Sequence, residues 1–338
     1  MSRLALVFPG QGAQAVGMGK DFHSQFPAAK RLYERASRVL GFDLAEVSFF
    51  GPEERLLSTD ISQPAILVAS LAAFSALQER LAPISSGKLD VLCTGGLSLG
   101  ESTALAFAGA LHFEDAVRLV YRRGQFMQEA CNAHSGGMVS VMGLSEEEVK
   151  ALALEASSEG AITLSNMNCP GQIVLSGHKE AVTKVVELVG ARGNGQAVEL
   201  KVAGAFHSSL MTSASEKFAR EIEAVEFLPP KVPVVSSVTG DFHRSPGEIR
   251  SLLVEQLTRP VLWEKCVRRM MACGAQSFLE VGPGKVLSGL IRRIDRSLNT
   301  YNIDSVRSLE KVVTILNRSE GALQVPGSTE AEVSRGSS

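Results

Sequence analysis

The sequence predicts an α/β fold: a largely parallel-sheet core carrying an inserted ferredoxin-like βαββαβ subdomain. Three observations predict it. Short apolar runs alternate with helical patterns from the start, with LALVF (4–8), a helix from about 20 to 40, PAILVASLAAFSALQERL (64–81) and DVLCTG (90–95); this is the rhythm of strands and crossover helices. From Gly137 the order changes to strand, helix, two strands, helix, strand over about 65 residues, the split-βαβ pattern. Beyond about residue 204 the first rhythm resumes. The chain therefore divides into a discontinuous core of residues 1–132 and 204–318 around a small lobe of residues 133–203.

Each element has its own signal. In the lobe, MVSVMG (138–143) reads as a strand, and SEEEVKALALEAS (145–157) as a helix with Ser145 at its N-cap and Glu148 three residues on, the spacing of a capping box. AITLSNMN (161–168) and QIVLSGH (172–178) read as strands, KEAVTKVVELVGARG (179–193) as a helix and QAVELKVAG (196–204) as the last strand. In the returning core, SSLMTSASEKFAREIEA (208–224) reads as a helix, followed by the apolar run VPVVSSV (232–238) and a helix near 246–258. The helix WEKCVRRMMACG (263–274), the strand SFLEVG (277–282) and the helix KVLSGLIRRI (285–294) complete it. SEGALQVPGSTEAEVSRGSS (319–338) is rich in Gly, Ser and Glu with few large apolar residues and reads as a disordered tail.

Composition narrows the function. With 338 residues, 45% of them hydrophobic, the chain can bury one large core and a smaller one. A formal net charge of -2 gives no reason to expect nucleic acid or an anionic membrane as partner. No uninterrupted apolar run approaches the ~18 residues of a membrane span. Residues 1–10 read as a first strand and turn; a leader removed earlier would leave no trace, so an organelle stays open. The five cysteines are scattered and contain no CxxC pair, which fits free thiols and neither a zinc site nor a disulfide framework.

Chemistry concentrates at GGLSLGES (95–102). Gly96-Leu97-Ser98-Leu99-Gly100 has the G-x-S-x-G form in which glycines relieve crowding around an exposed serine between a strand and a helix. The flanks are right for such a nucleophile elbow and make the core hydrolase-like, although a tight turn with packing glycines has the same letters. A serine needs a base, and six histidines are available; His207, in the loop AFHSSLM between a strand and a helix, has the best position. The loop FPGQGAQAVGMG (8–19) suggests backbone close to a ligand, but it lacks the third glycine of a dinucleotide fingerprint. EVGPGKVLSG (280–289) fails as a phosphate loop because Val286 follows Lys285, and it reads better as a strand-to-helix turn. Arg122 and Arg123 share a helix; one turned inward would clamp a carboxylate.

Together FPGQGAQ (8–14), GLSLGE (96–101), YRRGQFMQEA (121–130), NCPGQIVLSG (168–177), AGAFHSSLM (203–211), QLTRPVLW (256–263) and EVGPGKVLSGL (280–290) resemble, in order, the malonyl-CoA:acyl-carrier-protein transacylases, over about residues 4–318. GLSLGE and AGAFHSSLM resemble the plastid-type members. The resemblance implies that Ser98 carries the malonyl group and His207 is its base, a dyad whose imidazole is held by a main-chain carbonyl near Gln256. It implies an oxyanion hole from the backbone N–H groups of Gln11 and Leu99, pairing of Arg123 with the malonyl carboxylate, and Asn168 and Gln256 as polar residues lining the pocket. It also implies malonyl-CoA and acyl carrier protein as substrate and partner, with no cofactor or metal. A basic patch near the pocket mouth would meet an acidic carrier. Plastid stroma is the implied compartment, bacterial cytoplasm the alternative, and a monomer the simplest assembly. Leu97 and Ser102 depart from the commoner bacterial elbow, which has histidine and an aromatic residue there.

Two rivals remain. A serine esterase or thioesterase would share the elbow and the histidine but needs an acid after the nucleophile. An inactive docking module would have lost Ser98 or His207, and both are present.

Overall fold

The structure, a computed structural model, describes residues 3–83 and 89–321. Strand β1 (Leu4–Phe8) is buried throughout. Four short helices follow: α1 (Lys20–Gln25), α2 (Pro27–Leu40), α3 (Leu44–Phe50) and α4 (Glu53–Leu57). The single helix expected over 20–40 is thus two. Phe26 is extended, with φ -123° and ψ 113°, because Pro27 disfavours a helical residue before it and then starts a new helix itself.

α5 (Thr59–Leu81) spans 23 residues and is, among the described residues, the helix long and apolar enough to cross a membrane. Its most apolar window is 78% buried inside the protein, so it serves as the core helix. The strand β2 (Val91–Gly96) leads directly into α6 (Leu99–Phe107), and α7 (Phe113–Ala133) carries the chain to the lobe.

The lobe comprises β3 (Gly136–Met142), α8 (Glu146–Ala156), β4 (Ile162–Cys169), β5 (Gln172–His178), α9 (Lys179–Arg192) and β6 (Gln196–Glu199). Its sheet is antiparallel in the order β4-β5-β3-β6, the ferredoxin-like arrangement. Ser145 and Glu148 close both hydrogen bonds of the capping box on α8. Val139, Val141, Leu152, Leu175 and Val185 join this sheet to α8 and α9. β6 stops at Glu199, short of the expected 204, and the chain runs on past Leu200, whose N–H reaches Met138 O at 2.9 Å.

The core then returns with α10 (Thr212–Ile222), α11 (Pro246–Glu255), α12 (Trp263–Ala272), β7 (Ser277–Val281), α13 (Val286–Ile294), β8 (Asn299–Ile303) and α14 (Val306–Gly321). VPVVSSV contributes isolated bridges, Thr94 to Val234 and Val235 to Phe242, with no full strand. α14 runs to Gly321, past the start of the expected tail; the remainder of that tail lies outside the described residues.

The parallel sheet has the order β2-β1-β7-β8. Alternation along β1 splits the core in two, because successive side chains leave a strand on opposite faces. Leu4, Leu6 and Phe8 pack with α2, α5, α6, α7 and α14, while Ala5 and Val7 pack with Trp263, Val267 and Met270 of α12 and Leu287 and Ile291 of α13. The result is three layers, with the sheet in the middle. β1 and β2 end side by side, in register from Leu6–Thr94 to Phe8–Gly96, so their following loops lie together at the carboxyl edge of the sheet.

Candidate active site

Ser98 stands at that edge. It caps α6 with φ 52° and ψ -102°; among the described residues only Arg3 and His207 are other non-glycine residues at positive φ. Such a backbone costs on the order of 1–3 kcal/mol and persists only where its surroundings hold it. The glycines beside it are sterically required. A Cβ on Gly96 would lie 2.1 Å from the Gly100 carbonyl carbon, and one on Gly100 would lie 2.1 Å from Phe8 O. A Cβ on Gly10 would lie 2.4 Å from Leu97 O, which fixes the approach of the first glycine loop to the elbow.

Arg122 and Arg123, neighbours on α7, have opposite fates. Arg122 is half-buried, paired with Glu221 at 3.2 Å and lying over the Phe126 ring. Arg123 is buried to 2% exposure and donates to three groups: Gln63 Oε1 at 2.8 Å, Gln256 Oε1 at 2.9 Å and Ser98 Oγ at 3.0 Å. Burial lowers its pKa to about 10, opposed by the nearby Glu101 charge, so the guanidinium remains charged at neutral pH.

His207 is also buried, and its φ is 59°. Its Nδ1 lies 2.7 Å from the main-chain oxygen of Gln256, so Nδ1 carries the proton and Nε2 is left as the basic nitrogen. Burial, reinforced by Arg123, lowers its pKa to about 4, while the Gln256 and Arg259 carbonyls and Glu101 act the other way. The imidazole is therefore neutral, as a general base must be.

Ser98, Arg123 and His207 line one cavity of about 600 Å³ between the parallel sheet and the lobe. Gln11 and Leu99 line it from the core, and Met138, Asn166, Asn168 and Val174 from the antiparallel sheet. The N–H groups of Gln11 and Leu99 have no hydrogen-bond partner among the described residues, and Leu99 opens α6, where the helix end favours negative charge. Asn168 Oδ1 is buried without a partner. Where a basic patch is expected, the exposed charges on the lining are Lys201 and the acidic Glu54. Gln256, expected to line the pocket, is absent from its lining; it lies behind, 1% exposed, because its amide is drawn into the layer beneath Arg123.

That layer escaped sequence reasoning. Gln256 Nε2 donates to Glu101 Oε2 at 2.8 Å and to Ser237 Oγ at 2.9 Å. Glu101 also accepts from Ser237 N and from His243 Nε2, each at 2.8 Å. Burial raises the Glu101 pKa, but the His243 and Ser237 hydrogen bonds outweigh it and the net shift is downward. The traces in the sequence were Gln256, expected at the pocket wall, and Glu101, the residue after the second glycine of the elbow.

Other chemistries find less. Burial pushes the thiols of Cys93 and Cys131 up to about 12 and about 11, which leaves no thiolate nucleophile there. No group of three metal-ligating side chains occurs among the described residues. In the EVGPGK turn, Glu280 caps α13 by accepting from Leu287 N at 3.0 Å and Ser288 N at 2.7 Å, filling the position a phosphate would need.

Comparison with known proteins agrees with this geometry. The acyl transferase domain family matches residues 5–329. The malonyl CoA-acyl carrier protein transacylase of Bacillus subtilis is 40% identical over 317 residues, covering 94% of this chain and 98% of the relative. The crystal structure of the transacylase of that name from Clostridium perfringens superposes with a TM-score of 0.89 at 37% identity, over 95% of this chain and 99% of that one. A malonyl-transacylase solved in complex with its type II polyketide acyl-carrier protein gives a TM-score of 0.88 at 38% identity, over 93% and 100%. The chain is therefore an acyltransferase, a member of the acyl transferase domain family within its malonyl CoA-acyl carrier protein transacylase branch.

Proposed function

We propose that the chain moves the malonyl group from malonyl-CoA to the phosphopantetheine thiol of holo-acyl carrier protein, through a malonyl ester on Ser98. The observation that carries this reading is a buried, charged Arg123 in contact with the Ser98 hydroxyl at the cavity wall. An acyl group bearing its own carboxylate takes up that charge; a neutral acyl group leaves it uncompensated.

The chemistry follows in two halves. Neutral His207 takes the Ser98 proton as Oγ attacks the thioester carbonyl; the N–H groups of Gln11 and Leu99 receive the oxyanion, and the proton passes to the departing CoA thiolate. The carrier thiol then gives its proton to His207 and attacks the ester, and Ser98 leaves with that proton. Because thioester and ester are close in energy, the site mainly supplies positioning and charge. Both the acyl group and the acceptor thiol arrive with the substrates, so the scheme calls for no cofactor. Asn168, with its unpartnered Oδ1, suits a donor on the incoming thioester chain.

The esterase reading needs a carboxylate behind His207. The buried carboxylate beside the elbow, Glu101, bonds His243 instead, and a main-chain oxygen supports His207. The relatives named above that carry an organism are bacterial, so they favour bacterial cytoplasm over plastid stroma as the compartment and lend the latter no support. The test is an assay of malonyl transfer to holo-carrier protein against hydrolysis, with malonyl-, methylmalonyl- and acetyl-CoA in parallel. Transfer with malonyl preferred over acetyl is expected; hydrolysis as the main outcome would return the assignment to the esterases.

A further inference from the structure

Beneath the acyl cavity lies a buried polar layer that touches no substrate, and its hydrogen bonds have a direction. Gln256 is a primary amide, with one end that donates and one that accepts. Its Oε1 faces Arg123 at 2.9 Å, and its Nε2 faces Glu101 at 2.8 Å. Rotated by half a turn, the amide would set two donors against each other at Arg123 and two acceptors against each other at Glu101. Glu101, which can only accept when ionised, thus dictates which end meets Arg123.

Glu101 is itself fixed on every side. It lies in the first turn of α6, three residues past Ser98, where the helix end favours a carboxylate. Oε1 receives His243 Nε2, and Oε2 receives Ser237 N and Gln256 Nε2. The side chains of Glu101 and His243 are both fully buried. The pair is joined to the reacting groups through one residue, since the main-chain oxygen of Gln256 also holds His207 at 2.7 Å.

We propose that Glu101, held by His243, is a positioning residue for acyl selection: through the Gln256 amide it fixes the direction of Arg123, and thereby the preference for an acyl group that carries a carboxylate. The proposal rests on the Arg123 assignment above. Both residues act through Gln256, and neither meets the substrate.

The test is the ratio of kcat/KM for malonyl transfer to that for acetyl transfer, which a partly unfolded sample leaves unchanged because the folded fraction cancels. Glu101→Leu removes the acceptor and should lower the ratio by about tenfold or more, mostly through malonyl KM. Glu101→Gln should restore most of it, because its amide oxygen still receives Gln256 and Ser237 while its NH₂ donates to the other tautomer of His243. His243→Phe, which leaves the carboxylate in its place with one donor fewer, should lower the ratio by about threefold and serves if Glu101→Leu does not fold. Arg123→Ala runs alongside. A ratio that falls in Arg123→Ala but stays at the wild-type value in Glu101→Leu and His243→Phe overturns the positioning role alone. A ratio unchanged in Arg123→Ala overturns the carboxylate clamp and this inference with it.

Discussion

His207 keeps a neutral ring because it is buried beside a cation. Its pKa is lowered to about 4 from the ordinary 6.5, so the basic form is present at every pH above that value and is lost as pH falls through it. The pH profile of kcat/KM for malonyl transfer should therefore be level across neutral pH and decline on the acid side only toward about 4. A midpoint near 6.5 would mean that the ring is solvated in the working enzyme. Ser98 and His207 were legible because each sits in a local pattern, an elbow and a loop after a strand; between Arg122 and Arg123 the local pattern left the choice open, and the family resemblance made it. The residues that orient all three were not legible. Gln63 lies 60 positions from Arg123, Glu101 lies 142 from His243, and Gln256 lies 155 from Glu101, so their contacts exist only once the chain has folded. Gln256 shows the difference well: its place in a motif suggested a pocket wall, and packing turned its amide inward.

Among the elements, the joint between β2 and α6 sets the tolerances. Gly100 has no room for a methyl group because the main-chain oxygen of Phe8 occupies the space, and main chain in the middle of a sheet cannot step aside. Gly100→Ala should lose about 2 kcal/mol in urea unfolding and most of its transfer activity, since the two glycine loops are forced apart. Gly190 in α9 has nothing within 4 Å of the same added atom, and Gly190→Ala should be neutral or gain up to about 1 kcal/mol. Equal responses at the two sites would refute the steric argument. At this scale the sequence was most readable where a period was long or a cap explicit, as in α8 and α9. It was silent for α3 and α4, seven and five residues long and too short for a period to emerge, and also for β8 and the 16-residue α14. The break at Phe26 was available in principle, from Pro27, and was hidden by the apolar pattern continuing across it.

In the molecule as a whole, a parallel sheet supplies the strained elbow and the glycine loop, and an antiparallel lobe supplies the opposite wall of a single cavity. The two rhythms along the chain announced both sheets. The cavity between them was not announced, because its lining is drawn from loops of β1 and β2, from α7, from β3 to β5 and from the segment after β6. Under the proposed function, the charge held within it, Arg123 touching Ser98, favours an acyl group that carries a carboxylate. The central claim is that this acyl group rests covalently on Ser98. Mass spectrometry of the folded protein after incubation with malonyl-CoA, without acceptor, should find one malonyl adduct per chain on the peptide containing Ser98, and none in Ser98→Ala. An unmodified wild-type protein, or an adduct that survives in Ser98→Ala, would contradict it.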